Sequence, residues 1–170
     1  DFAKWRSWLS WPQIRIYNLD SDGNLKNRQS VFSTTIHELA HASHWDLAVQ
    51  YTNRNDYIYA DEILVESWAR GVQWAFTRIE YPSYTLSYGR LNYTGIVQDM
   101  IDGFGNKGTA SWWNFNTNKW GEPNIYKYYV DRVTGYTLSE IENSLIGIKT
   151  WNNWKDNIKN KYSNETENNL

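Results

Sequence analysis

Two of the three histidines in the chain fall in His37-Glu38-Leu39-Ala40-His41. Residues four apart on a helix lie one turn over each other, so the two imidazoles can bind one metal ion from the same face. Glu38 stands roughly 100° round the helix, where a carboxylate reaches a metal-bound water instead of the metal. Zinc brings such a water to a pKa near 7, and a carboxylate beside it takes the proton during attack on a polarised carbonyl. The expected cofactor is therefore one Zn2+ per chain. His44 returns to the face of His37, but lies about 4.5 Å past His41 along the axis. No Gly follows His41 to turn the chain, so His44 is expected to support a ligand from behind, to face the substrate or to be structural.

The third ligand must come from elsewhere. The chain has no Cys, which leaves carboxylates. Apolar spacing predicts a second helix from about Asp61 to Ile79, stopped by Pro82, that carries Glu62 and Glu66 one turn apart and Arg70 a further turn on. Twenty-four residues separate His41 from Glu66, and twenty separate it from Glu62. Glu66 is preferred for its flanks: Glu66-Ser67-Trp68-Ala69 has small residues that allow close packing against the first helix. Arg70 is either part of the site or an exposed partner of Glu66 or Glu62 at helical spacing.

An HExxH helix followed by a Glu with small, aromatic and Ala residues after it resembles the gluzincin branch of zinc metallopeptidases, the thermolysin-like clan. That resemblance implies His37, His41 and Glu66 as ligands and Glu38 as general base, and it covers residues 30–80 well and the remainder poorly. More loosely, Thr34 to Trp45, Val65 to Trp74 and Tyr93 to Asp102 look like secreted zinc peptidases of gut Bacteroidetes. Two departures stand out. Arg70 occupies the place where thermolysin-like enzymes have an Asp that orients a ligand, and the spacing from His41 to Glu66 is longer than theirs, so that Tyr51 to Ala60 would form a longer loop and counting against that family alone fits Glu62 better. An oxyanion stabiliser is also expected, and of Tyr84, Tyr88 and Tyr93 the last is preferred because it precedes the Thr-Gly start of a short helix.

These residues need elements to hold them. Ser33 and Thr34 are placed to cap a helix running to about Val49, with Ile36, Leu39, Ala40, Ala42 and Leu47 as its apolar positions. Gly71 inside the second helix lets another backbone approach closely. Ile14 to Tyr17 alternates and reads as a strand, closed by a turn at Asp20 to Asn24 whose Gly falls too early for an EF-hand loop. A short helix is expected over Thr94 to Ile101 and a Trp/Asn/Gly loop over Trp112 to Pro123. Thr137 and Glu140 have capping-box spacing ahead of a helix that Gly147 ends, and a last helix runs through Trp151, Trp154, Ile158 and Tyr162 to a frayed tail from Asn164.

The expected fold is α+β, predominantly helical and zincin-like: one domain over residues 1–170, with the HExxH helix packed on the Glu-bearing helix and a small N-terminal strand region. Only thirty-six residues precede His37, so the upstream sheet usual in zincins is either minimal or lies outside this sequence. Seventeen Lys and Arg against nineteen Asp and Glu, a net charge of -2, form no basic block to track a phosphate backbone, so nucleic acid is not an expected partner. No apolar run is long enough for a transmembrane segment.

The expected function is zinc-dependent hydrolysis of a peptide or protein substrate, with glycoproteins included because eleven Trp and thirteen Tyr exceed what a core needs. The competing reading is an aromatic-rich glycan- or protein-binding module with a vestigial or structural metal site, using Trp112, Trp113, Trp120, Trp151 and Trp154 beside their Asn neighbours. The start at Asp1 with no Met, together with the resemblance, points to a secreted, periplasmic or cell-surface bacterial protein.

Overall fold

The computed structural model describes residues 13–20, 22–85, 95–101 and 133–162, together with the backbone of four short strands between residues 107 and 130. It is predominantly helical. The element order is α1 (Arg28–Tyr51), α2 (Arg54–Ile58), α3 (Glu62–Glu80), α4 (Ile96–Ile101), β1 (Lys107–Thr109), β2 (Trp113–Asn114), β3 (Lys119–Trp120), β4 (Tyr128–Val130), α5 (Leu138–Ser144) and α6 (Trp151–Lys161).

The long helix α1 starts two turns earlier than its hydroxyls suggest. Asn27 caps it, accepting from Ser30 N at 2.8 Å. Ser33 and Thr35 instead bond back to the carbonyls of Ser30 and Val31, the usual fate of hydroxyls inside a helix. Its inward face also differs from the apolar set read in the sequence. Leu39 is half exposed, whereas Ser33 is buried, and Glu38, His41 and His44 are buried at three-residue spacing with Ala40, Trp45 and Ala48. A helix that turns polar residues inward and leaves a Leu outside is arranged around a site, because buried polar groups must find partners there.

Helix α3 supplies the apolar counterweight. Leu64, Trp68, Ala69 and Val72 join Ala40 of α1, Val97 and Met100 of α4, Val133 and Tyr136, and Ile141, Leu145, Trp154 and Ile158 of the C-terminal helices in one core. Trp68 Nε1 donates to Ala40 O at 3.1 Å, a buried bond that satisfies the indole and fixes α3 against the turn of α1 between the two site histidines. Gly71 has its structural reason as well. A Cβ there would collide with Val97, so α4 approaches α3 through the side chain and backbone of that residue.

A second cluster of Trp45, Ala48, Tyr57 and Val65 ties α2 between α1 and α3. The residues that make the His41-to-Glu66 spacing long therefore include a short helix, not only loop: Asn53 caps it, accepting from Asn55 N at 2.9 Å. Asp61, just ahead of α3, accepts from Trp151 N at 2.9 Å and donates its own N–H to Lys149 O at 2.7 Å, which anchors the start of α6 beside α3.

Near the C-terminus the local signals act as written. Thr137 and Glu140 make the reciprocal capping box of α5, and Gly147 takes φ of 75° where the helix ends. Trp154 is buried and donates Nε1 to Ser144 Oγ at 2.7 Å.

The strands fall elsewhere than expected. Ile14 to Tyr17 keeps the alternation, with both Ile half buried and Arg15 and Tyr17 exposed, but it forms no strand. Leu19 pairs with Leu25 in an isolated bridge, where Asp20 Oδ1 accepts from Asp22 N and Asn24 N and Gly23 takes φ of 81°. Alternation sets which side chains point inward, but a strand also needs a neighbour to complete its ladder. The Trp112 to Pro123 stretch, expected as loop, contains β2 paired antiparallel with β3, Trp113 opposite Trp120, while β1 pairs antiparallel with β4. The tail from Asn164 lies outside the described residues.

Candidate metal centre

Helices α1 and α3 bring His37, His41 and Glu66 to one point, their ligand atoms all within 4.8 Å of one another. The Nε2 atoms of His37 and His41 are 3.1 Å apart, with the rings edge to face at 89°. Glu66 Oε2 is 3.3 Å from His37 Nε2, and Glu66 Oε1 is 3.5 Å from His41 Nε2. These three separations fit an ion. Ligands at about 2.0–2.1 Å in tetrahedral directions stand about 3.3 Å apart, close to each observed edge. Glu66 Oε2 is moreover buried and accepts no well-directed hydrogen bond among the described residues, an oxygen that an ion would satisfy.

The electrostatics give the same protonation states that a metal requires. Burial pushes the His41 pKa below its ordinary 6.5, more strongly than the nearby carboxylates of Glu66 and Glu38 raise it, so the ring is neutral at pH 7. For Glu66, burial works against the charge, yet the imidazoles of His37 and His41 overcome it and hold the carboxyl far below the usual carboxylate range. The two directions agree on neutral imidazole beside ionised carboxylate, and that is the pairing we adopt.

A pH dependence follows. Between the depressed His41 pKa and 6.5 the unfolded chain binds a proton that the folded chain does not, so stability falls as the pH drops through that window. Glu66 acts in the same sense below its ordinary 4.5, because its folded pKa is depressed and its contribution disappears on protonation. The thermal midpoint of the metal-free chain, followed by circular dichroism in chelator, is expected to fall steadily from pH 7 to pH 4. A midpoint that rises on acidification would contradict both assignments.

Glu38 is buried and stands outside the trio, close enough for its charge to act on His41. Of the two candidate third ligands, Glu62 is exposed in the first turn of α3, whereas Glu66, one turn on, faces α1. His44 does not join the trio. It is buried, and its ring packs edge-on against Tyr57 with centroids 5.0 Å apart. Arg70 is half buried and donates to Gln73 Oε1 at 3.0 Å. Tyr84 is half buried, and its backbone N–H donates to Tyr81 O in the turn after α3. Tyr88 and Tyr93 lie outside the described residues.

No known protein family, curated protein or solved structure matches this chain. The site therefore rests on its own residues. One residue beside it escaped the sequence reading: Tyr57, fully buried against His44, sits in a stretch taken for loop. The signal that could have found it was Asn53, whose capping side chain opens α2. Among the described residues no helix is long and apolar enough to cross a membrane.

Proposed function

We propose that the chain is a gluzincin-like zinc metallopeptidase that hydrolyses a peptide bond in a peptide or protein. The observation that carries this reading is the triangle of His37, His41 and Glu66, with edges of 3.1, 3.3 and 3.5 Å and a buried carboxylate, Glu38, next to but outside it. Three protein ligands leave a fourth position for water or substrate, the mark of a hydrolytic site, whereas a structural zinc is closed by four. Zinc held there supplies Lewis acidity and brings the pKa of a water into the neutral range.

The chain's own residues do the rest. His41 stays neutral through burial, Glu66 stays ionised beside it, and Trp68 and Val65 hold α3 so that Glu66 faces the rings of His37 and His41. Glu38 accepts the proton of the attacking water and passes it to the leaving amine as the carbon–nitrogen bond breaks. A secreted or cell-surface setting and glycoprotein substrates belong to the same proposal and rest on the resemblance and the aromatic content.

The binding-module reading loses part of its support. Trp154 is buried in the core and offers no face for a sugar, and Trp151 is partly buried against it with centroids 5.1 Å apart. Incubation of the purified chain with a fluorogenic peptide library, before and after dialysis against a chelator, tests the function. Cleavage is expected to disappear on chelation and to return with stoichiometric zinc. Cleavage indifferent to chelation, or none at all from a chain carrying one zinc, would remove the peptidase reading.

A further inference from the structure

Helices α5 and α6 are joined to one another by buried and half-buried bonds: Trp154 Nε1 donates to Ser144 Oγ at 2.7 Å, and Asn157 Nδ2 donates to Ser144 O at 2.6 Å. The pair also bonds to both ligand-bearing helices. On one side Ser43 Oγ of α1, two residues past His41, donates to a carboxylate oxygen of Glu142 in α5. On the other side Asp61, at the start of α3 and five residues ahead of Glu66, accepts from Trp151 N at 2.9 Å and donates its own N–H to Lys149 O at 2.7 Å. An Asp at a helix start ordinarily accepts from the N–H groups of its own helix. Asp61 makes no such bond and spends its carboxylate on α6 instead. Residues 147–151 also lie against the connection between α1 and α3: Lys149 Nζ is 2.9 Å from Asp56 Oδ1 in α2, and a Cβ on Gly147 would stand 3.4 Å from Thr52 Cγ2. Lys149 is half exposed, so that ion pair adds little, and the bonds of Asp61 and Ser43 carry the joint.

We propose that α5 and α6 form a clasp that sets the His-bearing helix against the Glu-bearing helix, with Ser43 and Asp61 as positioning residues of the metal centre. The inference rests on the metal-centre reading above. Helices α1 and α3 are continuous over 24 and 19 residues, so holding α1 at Ser43 and α3 at Asp61 fixes where His37, His41 and Glu66 stand. A ligand set works only when its members are held to within about 0.5 Å, and their own rotamers cannot correct a shift of the helices that carry them.

Zinc affinity by competition with a chromophoric chelator, the visible spectrum of the cobalt(II)-loaded chain and the thermal midpoint of the metal-free chain are measured for wild type, Ser43→Ala, Asp61→Ala, Asp61→Asn and the double variant Ser43→Ala/Asp61→Ala. Affinities and spectra are taken at a temperature where circular dichroism shows every variant folded, so that lost stability alone does not change them. Expected are affinities roughly 3- to 10-fold lower in each alanine variant, the worth of one hydrogen bond, and lower still in the double variant, whose cobalt bands shift. Asp61→Asn keeps an oxygen for Trp151 N and should bind zinc as the wild type does. An unshifted spectrum and undiminished affinity in the double variant would overturn the proposal and leave the metal centre standing; a lowered midpoint beside them would mean that the clasp serves packing alone. Asp61→Asn as weak as Asp61→Ala would overturn the part given to the Trp151 bond. A wild-type chain that binds neither zinc nor cobalt would overturn the metal centre and this proposal together.

Discussion

Loaded with stoichiometric zinc and dialysed against metal-free buffer, the Glu66→Ala chain is expected to lose its metal, whereas Glu62→Ala and His44→Ala keep about one zinc per chain by plasma mass spectrometry. The difference comes from position on α3. Glu66 lies 3.3 and 3.5 Å from the two Nε2 atoms, while Glu62 is exposed one turn earlier and His44 is spent on Tyr57. Removing an outer partner of a metal ligand weakens binding 10- to 100-fold, so removing a ligand should cost at least about 100-fold. The carboxylate also lies against both imidazoles. Without it their rings face one another at 3.1 Å with less to satisfy them. Retention of zinc in Glu66→Ala together with its loss in Glu62→Ala would reverse the ligand assignment.

The second large effect is on turnover with the metal retained. Glu38→Gln preserves the size and most of the hydrogen-bonding capacity of a buried side chain, but an amide cannot take a proton from water. Proton transfer by a positioned group contributes about 10²- to 10⁴-fold, and turnover should fall by that much while zinc content stays near that of the wild type. Zinc content and kcat measured on the same preparation separate the two roles. A variant that keeps both its zinc and its kcat would mean that Glu38 is not the base, however close it stands to His41.

Much of the site was readable because its parts are local. His37 and His41 are linked by four residues of one helix, whose rise and turn place both rings on one face whatever surrounds them. The preference for Glu66 over Glu62 also came from local chemistry, since Ser67 and Ala69 are both buried as α3 packs. The α5 capping box and the Gly147 break are contacts within a few residues and formed as expected. Expectations failed where an outcome depended on a partner. Ile14 to Tyr17 alternates yet is no strand among the described residues, and Trp113 and Trp120, set in a stretch rich in turn formers, found one another as β2 and β3.

The sequence by itself determined two histidines one turn apart on one helix, a carboxylate next to the first, a helical chain and the ends of its last helices. Each is fixed by interactions spanning one or two turns. Tertiary structure decided which carboxylate completes the trio, that α1 turns Glu38, His41 and His44 inward and leaves Leu39 out, and that Tyr57 is buried against His44. The physical reason is that periodicity fixes angles around one helix axis but not which angle faces the neighbour. That is chosen by the packing of α3 against α1, through Trp68, Ala40 and Val65, summed over the whole core.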